Sequence, residues 1–212
     1  MKKIVLIITV MFLTCNGFAK DLRTLFADMP DSIIPLLTKS NRMDCVDYME
    51  SGMKAVVTNR LGGTTEMLSL DKDYLSMKLT AVSSFDMKLF YHRDSTAVIC
   101  VIRTICSEMC DSRLSFYDAD WNPIDKSELI EEPVFEDYII NDRFKGDSIE
   151  VLSEYASLRL NKITVDNVDN GLRFSYSSIG YLSEDASEYL HFFNPEPLLF
   201  KWNGKTFIRS RK

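Results

Sequence analysis

The sequence predicts an α+β fold in which helices lead into antiparallel sheet. Three observations carry this expectation. Apolar residues recur at helical spacing over residues 21–53, short segments alternate apolar and polar from residue 54 onward, and turn-forming residues punctuate those segments. Hydrophobic residues at 46% and aromatics at 11% of 212 positions supply enough apolar surface for a packed core and exclude a disordered chain.

The extreme N-terminus reads as a targeting segment. Lys2 and Lys3 precede an apolar run from Ile4 to Leu13, and Gly17-Phe18-Ala19 places small residues where a signal peptidase cuts. Cleavage after Ala19 is therefore expected, with residues 1–19 a signal peptide and the mature protein periplasmic, secreted or at the cell surface. The run is too short to span a bilayer, which takes about 20 apolar residues. Cys15 raises the alternative of a lipoprotein, but Phe12-Leu13-Thr14 suits lipidation poorly, which favours ordinary cleavage. Loss of Met1 to Ala19 leaves 193 residues and, without Lys2 and Lys3, moves the net charge from −6 to −8. An acidic surface argues against a nucleic-acid partner and against binding to an anionic membrane, since both need a basic surplus. No later apolar run approaches spanning length, so no integral membrane segment is expected after cleavage.

In chain order, Asp21 to Phe26 forms a short helical turn, and Pro30 and Pro35 interrupt it. Ser40 or Asn41 caps a helix whose apolar stripe is Met43, Val46, Tyr48, Met49 and Met53, with Gly52 at its end. Strands follow at Lys54–Asn59, Thr64–Leu70, Tyr74–Ser83, Met87–Tyr91, Thr96–Cys106 and Arg113–Tyr117. Ala97 to Ile102 is apolar on both faces and reads as a central strand. Asp118 to Pro123 is a turn. Lys126 to Ala156 reads as mainly helical, its best helix capped at Asp147 or Ser148. Strands resume at Leu158–Val165, Leu172–Ser178 and Tyr189–Phe193, and Leu198–Ile208 closes a hairpin on a type I′ turn at Asn203-Gly204.

Strand motifs recur at offsets of 83–85 residues: Leu75–Leu79 with Leu158–Lys162, Leu89–Tyr91 with Phe174–Tyr176, and Leu114–Phe116 with Leu198–Phe200. This suggests a tandem duplication into two sheet-rich lobes, residues 20–123 and 124–212, with one continuous domain as the alternative.

Residues that carry chemistry are sparse, and none is nominated as catalytic, cofactor-binding or metal-ligating. His92 sits in a turn beside Arg93 and Asp94, and His191 lies in an apolar run, so neither has a nucleophile beside it. Asp118, Asp120 and Asn122 imitate the start of a calcium loop, but Pro123 and Leu129 stand where the bend glycine and the bidentate glutamate belong. Asp166 to Gly171 reads as a hairpin loop, and Leu61-Gly62-Gly63-Thr64 lacks the strand–helix context of a phosphate cradle. Four cysteines remain after cleavage: Cys45, Cys100, Cys106 and Cys110. Cys106 and Cys110 flank a short loop and are the natural bridge in an oxidising compartment; four buried free thiols are the other reading. Phe90, Tyr91, Phe116, Tyr117, Trp121, Phe174, Tyr176, Phe200 and Trp202 could line a glycan-binding face, although at strand spacing such residues suit a core.

Leu25 to Asp31 followed by Pro35-Leu36-Leu37, together with Asn41-Arg42-Met43-Asp44, Leu61 to Thr64, and Asp111-Ser112 leading to Phe116-Tyr117-Asp118 and Trp121, resembles an uncharacterised family of exported Bacteroides-type proteins. The resemblance covers most of the mature chain and implies a Gram-negative envelope setting. It carries no activity, substrate or catalytic residues. The expectation is thus a non-catalytic envelope protein that binds a protein or glycan partner, without cofactor. An exported glycosidase-like hydrolase, its carboxylates converging only in the fold, is the alternative.

Overall fold

The computed structural model describes residues 20–140, 158–178 and 191–210. The expected leader with Cys15, the helix expected from Asp147 or Ser148, and Tyr189 lie outside these residues.

Two helices come first. Helix α1 (Leu22–Asp28) starts at Asp21, whose carboxylate accepts from the Thr24 N–H; hydrogen bonding from the Thr24 side chain first, and then from this N–H, holds the Asp21 carboxyl below its ordinary pKa. Helix α2 (Lys39–Glu50) is capped at Thr38, two residues before Ser40 and three before Asn41, the expected caps. Thr38 and Asn41 form a reciprocal capping box, so the hydroxyl at Thr38 takes the role assigned to Ser40. The buried face keeps Val46, Tyr48 and Met49 of the expected stripe against the core but not its two outer methionines. Arg42, Cys45 and Val46 are buried, whereas Met43 and Met53 from the expected stripe are exposed. Gly52, at φ +68°, ends the helix in a Schellman motif: its N–H bonds to Met49 O and that of Met53 to Tyr48 O.

Strands β1 (Val56–Thr58), β2 (Thr64–Leu70), β3 (Tyr74–Lys78), β4 (Ser83–Tyr91), β5 (Ala97–Cys106), β6 (Cys110–Tyr117) and β7 (Pro123–Ile124) form one antiparallel meander in chain order. A second sheet has β8 (Asn161–Asp166), β9 (Gly171–Tyr176), β10 (Leu198–Trp202) and β11 (Phe207–Arg209), again in sequence order.

The seven-stranded sheet is the middle layer, and β5 shows why. Its Ile99 and Val101 join Leu22, Leu25, Phe26, Phe85 and Met87 in a core beneath the helices. Its Val98, Cys100 and Ile102 join Phe90, Phe116, Phe174, Phe200 and Phe207 in a core beneath the second sheet. Alternation at period two therefore feeds both faces, and the doubly apolar run is a strand buried on both sides, as read. Cys106 and Cys110 sit opposite each other at the end of the β5–β6 hairpin and are joined by a disulfide; Cys45 and Cys100 are buried free thiols.

Several expectations are corrected. The strand order does not confirm a tandem duplication: β4 and β6, matched by the offsets to β9 and β10, are separated by β5, whereas β9 and β10 are neighbours. Leu79 to Val82 is a turn, because the Leu79 and Thr80 N–H groups bond back to Ser83 O. The strand expected from Leu158 begins at Asn161. Within residues 126–140 the helical reading yields only two 3-10 turns, Lys126–Glu128 and Phe135–Tyr138. His191 and Phe192 lie in a 3-10 turn, and Phe193 makes an isolated bridge to Ile139. In the last hairpin Gly204 alone has positive φ, +91°, and Asn203 N–H bonds to Thr206 O. The turn is therefore centred on Gly204-Lys205, one residue later than a type I′ turn at Asn203-Gly204.

Between β3 and β4 a polar cluster lies on the second-sheet side. Lys88 is buried and pairs with Asp73 at 2.7 Å, while Asp86 accepts a 2.7 Å hydrogen bond from the Tyr74 hydroxyl. Burial raises the Asp86 pKa, against the lowering effect of hydrogen bonds from Tyr74 and Ser76. A carboxyl that ionises less readily folded than unfolded adds nothing below the unfolded pKa and weakens the fold as pH rises through and above that range. Asp86→Asn, which keeps the acceptor for Tyr74, is expected to raise the melting temperature at pH 7. The gain should vanish in melts near pH 3; an equal gain at both pH values would contradict an ionised Asp86.

Candidate functional site

One open pocket, about 420 Å³, lies on the helix side of the middle sheet, beyond the ends of the helices. That volume falls in the range of small-ligand sites. One wall is the loop between α1 and α2, which presents Ile34, Pro35 and Leu36; the floor is Leu79 of the β3–β4 turn with Ser83, Arg103 and Ile105 of the sheet, and Asp111 and Arg113 at its β6 edge.

The loop wall owes its shape to one buried cation. Arg42, on α2, donates from Nη1 to Leu37 O at 3.1 Å and to Asp31 Oδ1 at 3.0 Å. Its Nη2 donates to Ala27 O at 3.1 Å and Met29 O at 2.6 Å. Arg60 grips the other oxygen of Asp31, and the two guanidiniums hold that carboxyl below its ordinary pKa. Arg103 adds a 3.4 Å bond from Nη1 to Ile33 O.

The floor owes its charge to strand register. Pairing Cys106 with Cys110 sets Ile105 opposite Asp111 and Arg103 opposite Arg113 on one face. Like charges directly opposed across two strands are unfavourable, because their Cβ atoms lie roughly 5 Å apart. Nevertheless neither arginine meets a carboxylate within ion-pair distance among the described residues, whereas Arg23, Arg42, Arg60, Arg173 and Arg209 all do. Beside the pair, Ile105 is 65% exposed and Val82 53% exposed. The pocket combines an unneutralised cationic pair with an aliphatic wall.

The residues weighed in the sequence fall elsewhere. His92 is not a solvated loop residue: its ring lies against Trp202, and its Nδ1 is 3.3 Å from Gly204 O, which ties two turns together. His191 is exposed beside Phe192. Asp118 spends its oxygens on its own turn, accepting from the N–H groups of Asp120 and Asn122 and from the Asn122 amide, which lowers its pKa. Asp166 likewise accepts from Val168 and Asp169 N–H, inside a hairpin loop. The N–H groups of Leu61 and Gly63 are taken by the Asn59 side chain. Among the described residues no three His, Cys, Asp or Glu side chains gather as a metal set. Burial pushes the Cys45 thiol up to about 11 and raises that of Cys100, so neither is a ready thiolate.

The aromatic face resolves into core. Phe90, Phe116, Phe174, Phe200 and Trp202 pack between the sheets, and Trp121 packs under the helices with its Nε1 donating to Leu25 O. Tyr176 stacks on Phe193, and Tyr117 lies against Trp121. Tyr91 is the one large exposed ring of that set. Sequence reasoning missed the arginine pair. Its signal was the hairpin itself, since residues equidistant from Cys106 and Cys110 must face each other.

No helix among the described residues is long and apolar enough to cross a membrane. No curated protein matches the sequence. Among solved structures, the chain is similar to a domain of an uncharacterized protein from Porphyromonas gingivalis W83. The TM-score is 0.78, with 23% identity over 90% of this chain and 98% of that one. This likeness speaks for the fold and agrees with the resemblance to Bacteroides-type proteins. Residues 14–207 match the family described as Protein of unknown function (DUF3256), and over that span, nearly the whole sequence, the chain belongs to it.

Proposed function

We propose that the protein is an exported, non-catalytic component of the cell envelope that docks a protein partner over the pocket between the α1–α2 loop and strands β4 to β6. The observation that carries this reading is the exposed Ile105 set in a pocket that Ile34, Pro35, Leu36 and Leu79 also line, its wall pinned by a buried arginine. Isolated exposed apolar residues are ordinary, but one that extends an aliphatic concavity marks an interaction site. The pocket lining contains no aromatic ring on which a sugar could stack, which favours protein over glycan. A hydrolase finds less support. The cavity that gathers carboxylates holds Glu131, Glu132 and Asp137, and Lys126 and Arg209 already engage two of the three, Glu132 and Asp137 respectively. The Cys106–Cys110 disulfide is consistent with an oxidising compartment, as is the leader.

One experiment tests docking and export together. Full-length protein with a photo-crosslinking side chain in place of Ile105 is recovered from the envelope fraction of the producing cells. A discrete protein adduct is expected from Ile105 and none from the same side chain at Leu68, an exposed residue of β2. Intact mass should show a chain starting at Lys20. Equal adducts at both positions, or none, would refute docking at this pocket, and a chain starting at Met1 would refute export.

A further inference from the structure

Resting on that docking reading, we infer that Arg103 and Arg113 form a receptor for the free C-terminal carboxylate of a polypeptide ending in an aliphatic residue. Two guanidiniums opposed on adjacent strands repel one another until an anion lies between them, and planar forks match a carboxylate bidentately. Arg103 spends one Nη1 bond on Ile33 O and keeps its remaining donors; Arg113 is exposed and spends none. The pair stays unneutralised although Asp111 lines the same pocket: that carboxylate accepts from the Asn161 N–H and makes no ion pair with either arginine.

The aliphatic half of the assignment comes from spacing. Arg103 and Ile105 share a face two residues apart on β5, roughly 7 Å. Ile34, Pro35, Leu36 and Leu79 close the same pocket. A ligand that satisfies both must carry its charge and its aliphatic group within a single residue length. A C-terminal leucine, isoleucine or valine does this. An internal aspartate or glutamate uses its side chain for the charge and has no aliphatic branch to offer. The pocket volume accommodates one or two such residues, so the last residue would be held and the preceding chain would leave through the open side.

The test uses the mature chain and four probes: acetyl-Ala-Ala-Leu-Leu as the free acid, the same peptide as its C-terminal amide, acetyl-Ala-Glu-Ala amide, and inorganic phosphate. Calorimetric titration should show the acid binding at least about tenfold more tightly than any other probe, since one charge-assisted pair is worth that factor or more. Its affinity should fall as salt is raised. Arg113→Gln should lose about tenfold for the acid and nothing for the amide, while melting no lower than the parent, because it relieves a like-charge contact. That combination separates ligand recognition from damage to the fold. Equal binding of acid and amide, equal competition by phosphate or by the glutamate peptide, or an unchanged affinity in Arg103→Gln/Arg113→Gln would overturn the assignment. The two readings also fail separately. Partner capture at Ile105 that persists in Arg113→Gln leaves docking intact and removes the carboxylate receptor, whereas loss of capture at Ile105 in the parent removes docking itself.

Discussion

Arg42→Ala is expected to cost about 3–5 kcal/mol of stability, because buried carbonyls left unsatisfied cost roughly 1–3 kcal/mol each and packed volume is lost as well. The side chain is 1% exposed, and it bonds Ala27 O, Met29 O and Leu37 O as well as Asp31. The carbonyls of Ala27 and Met29 lie at the C-terminal end of α1, where the last turn has no helical donors, and α1 has no basic residue of its own there. Arg42 therefore acts as the C-terminal cap of α1, reaching over from α2, and places its positive charge at the favourable end of the α1 dipole. Alanine strands those carbonyls in a dry interior and leaves a cavity. For a chain of this length the loss corresponds to a melting temperature lower by roughly 6–20 °C. Arg42→Met, which restores most of the volume but none of the donors, should recover only part of it. Urea titration of the three proteins measures this; a loss under about 1 kcal/mol in Arg42→Ala would mean that the carbonyls find water instead.

Gly171→Ala should be nearly as damaging, for a wholly steric reason. A Cβ built on Gly171 would lie 2.2 Å from Phe200 O and 3.2 Å from Lys201 Cα, both backbone atoms of the neighbouring strand. No side-chain rotation relieves such a contact, so β9 and β10 must part, breaking the pairing from Gly171–Lys201 to Phe174–Leu198. A loss of at least about 3 kcal/mol is expected, at the upper end for overpacking. It should appear as amide exchange accelerated in β9 and β10 more than in β4 and β5. Parent-like melting would show that the strands can bow apart cheaply.

These two residues also show what a linear reading can and cannot see. Gly171 was legible as the end of a hairpin loop, but its function is close approach across a strand pair, which depends on register with a strand nearly thirty residues later. Arg42 carries no local sign at all, since an arginine on a short helix next to Asn41 looks solvated. The sheet was easier. Period-two alternation located β3, because burial of one face acts on every second residue, and an apolar run on both faces located β5 as the central strand. The first half of β4 was missed because Ser83, Ser84 and Asp86 set polar groups among its apolar ones, and the structure satisfies Asp86 from Tyr74 across the pair. The expected duplication rested on strand composition, in which any two half-buried strands of similar chemistry align, and the strand orders of the two sheets lend it no support. The candidate pocket was least legible, being built from residues at 34–36, 79–84 and 103–113 that meet only after both helices and the meander have formed.

The junction between the sheets has a bearing on how the molecule behaves in a crowd. Strand β8 is the outermost strand of its sheet, and such a strand ordinarily offers a row of bare amides to any passing chain. Here the N–H of Asn161 is taken by Asp111 Oδ1 and that of Ile163 by Ser112 Oγ, both side chains of β6. The middle sheet thereby plugs the border of its neighbour with side chains, and the protein keeps a long polymerisable margin out of reach of its own copies.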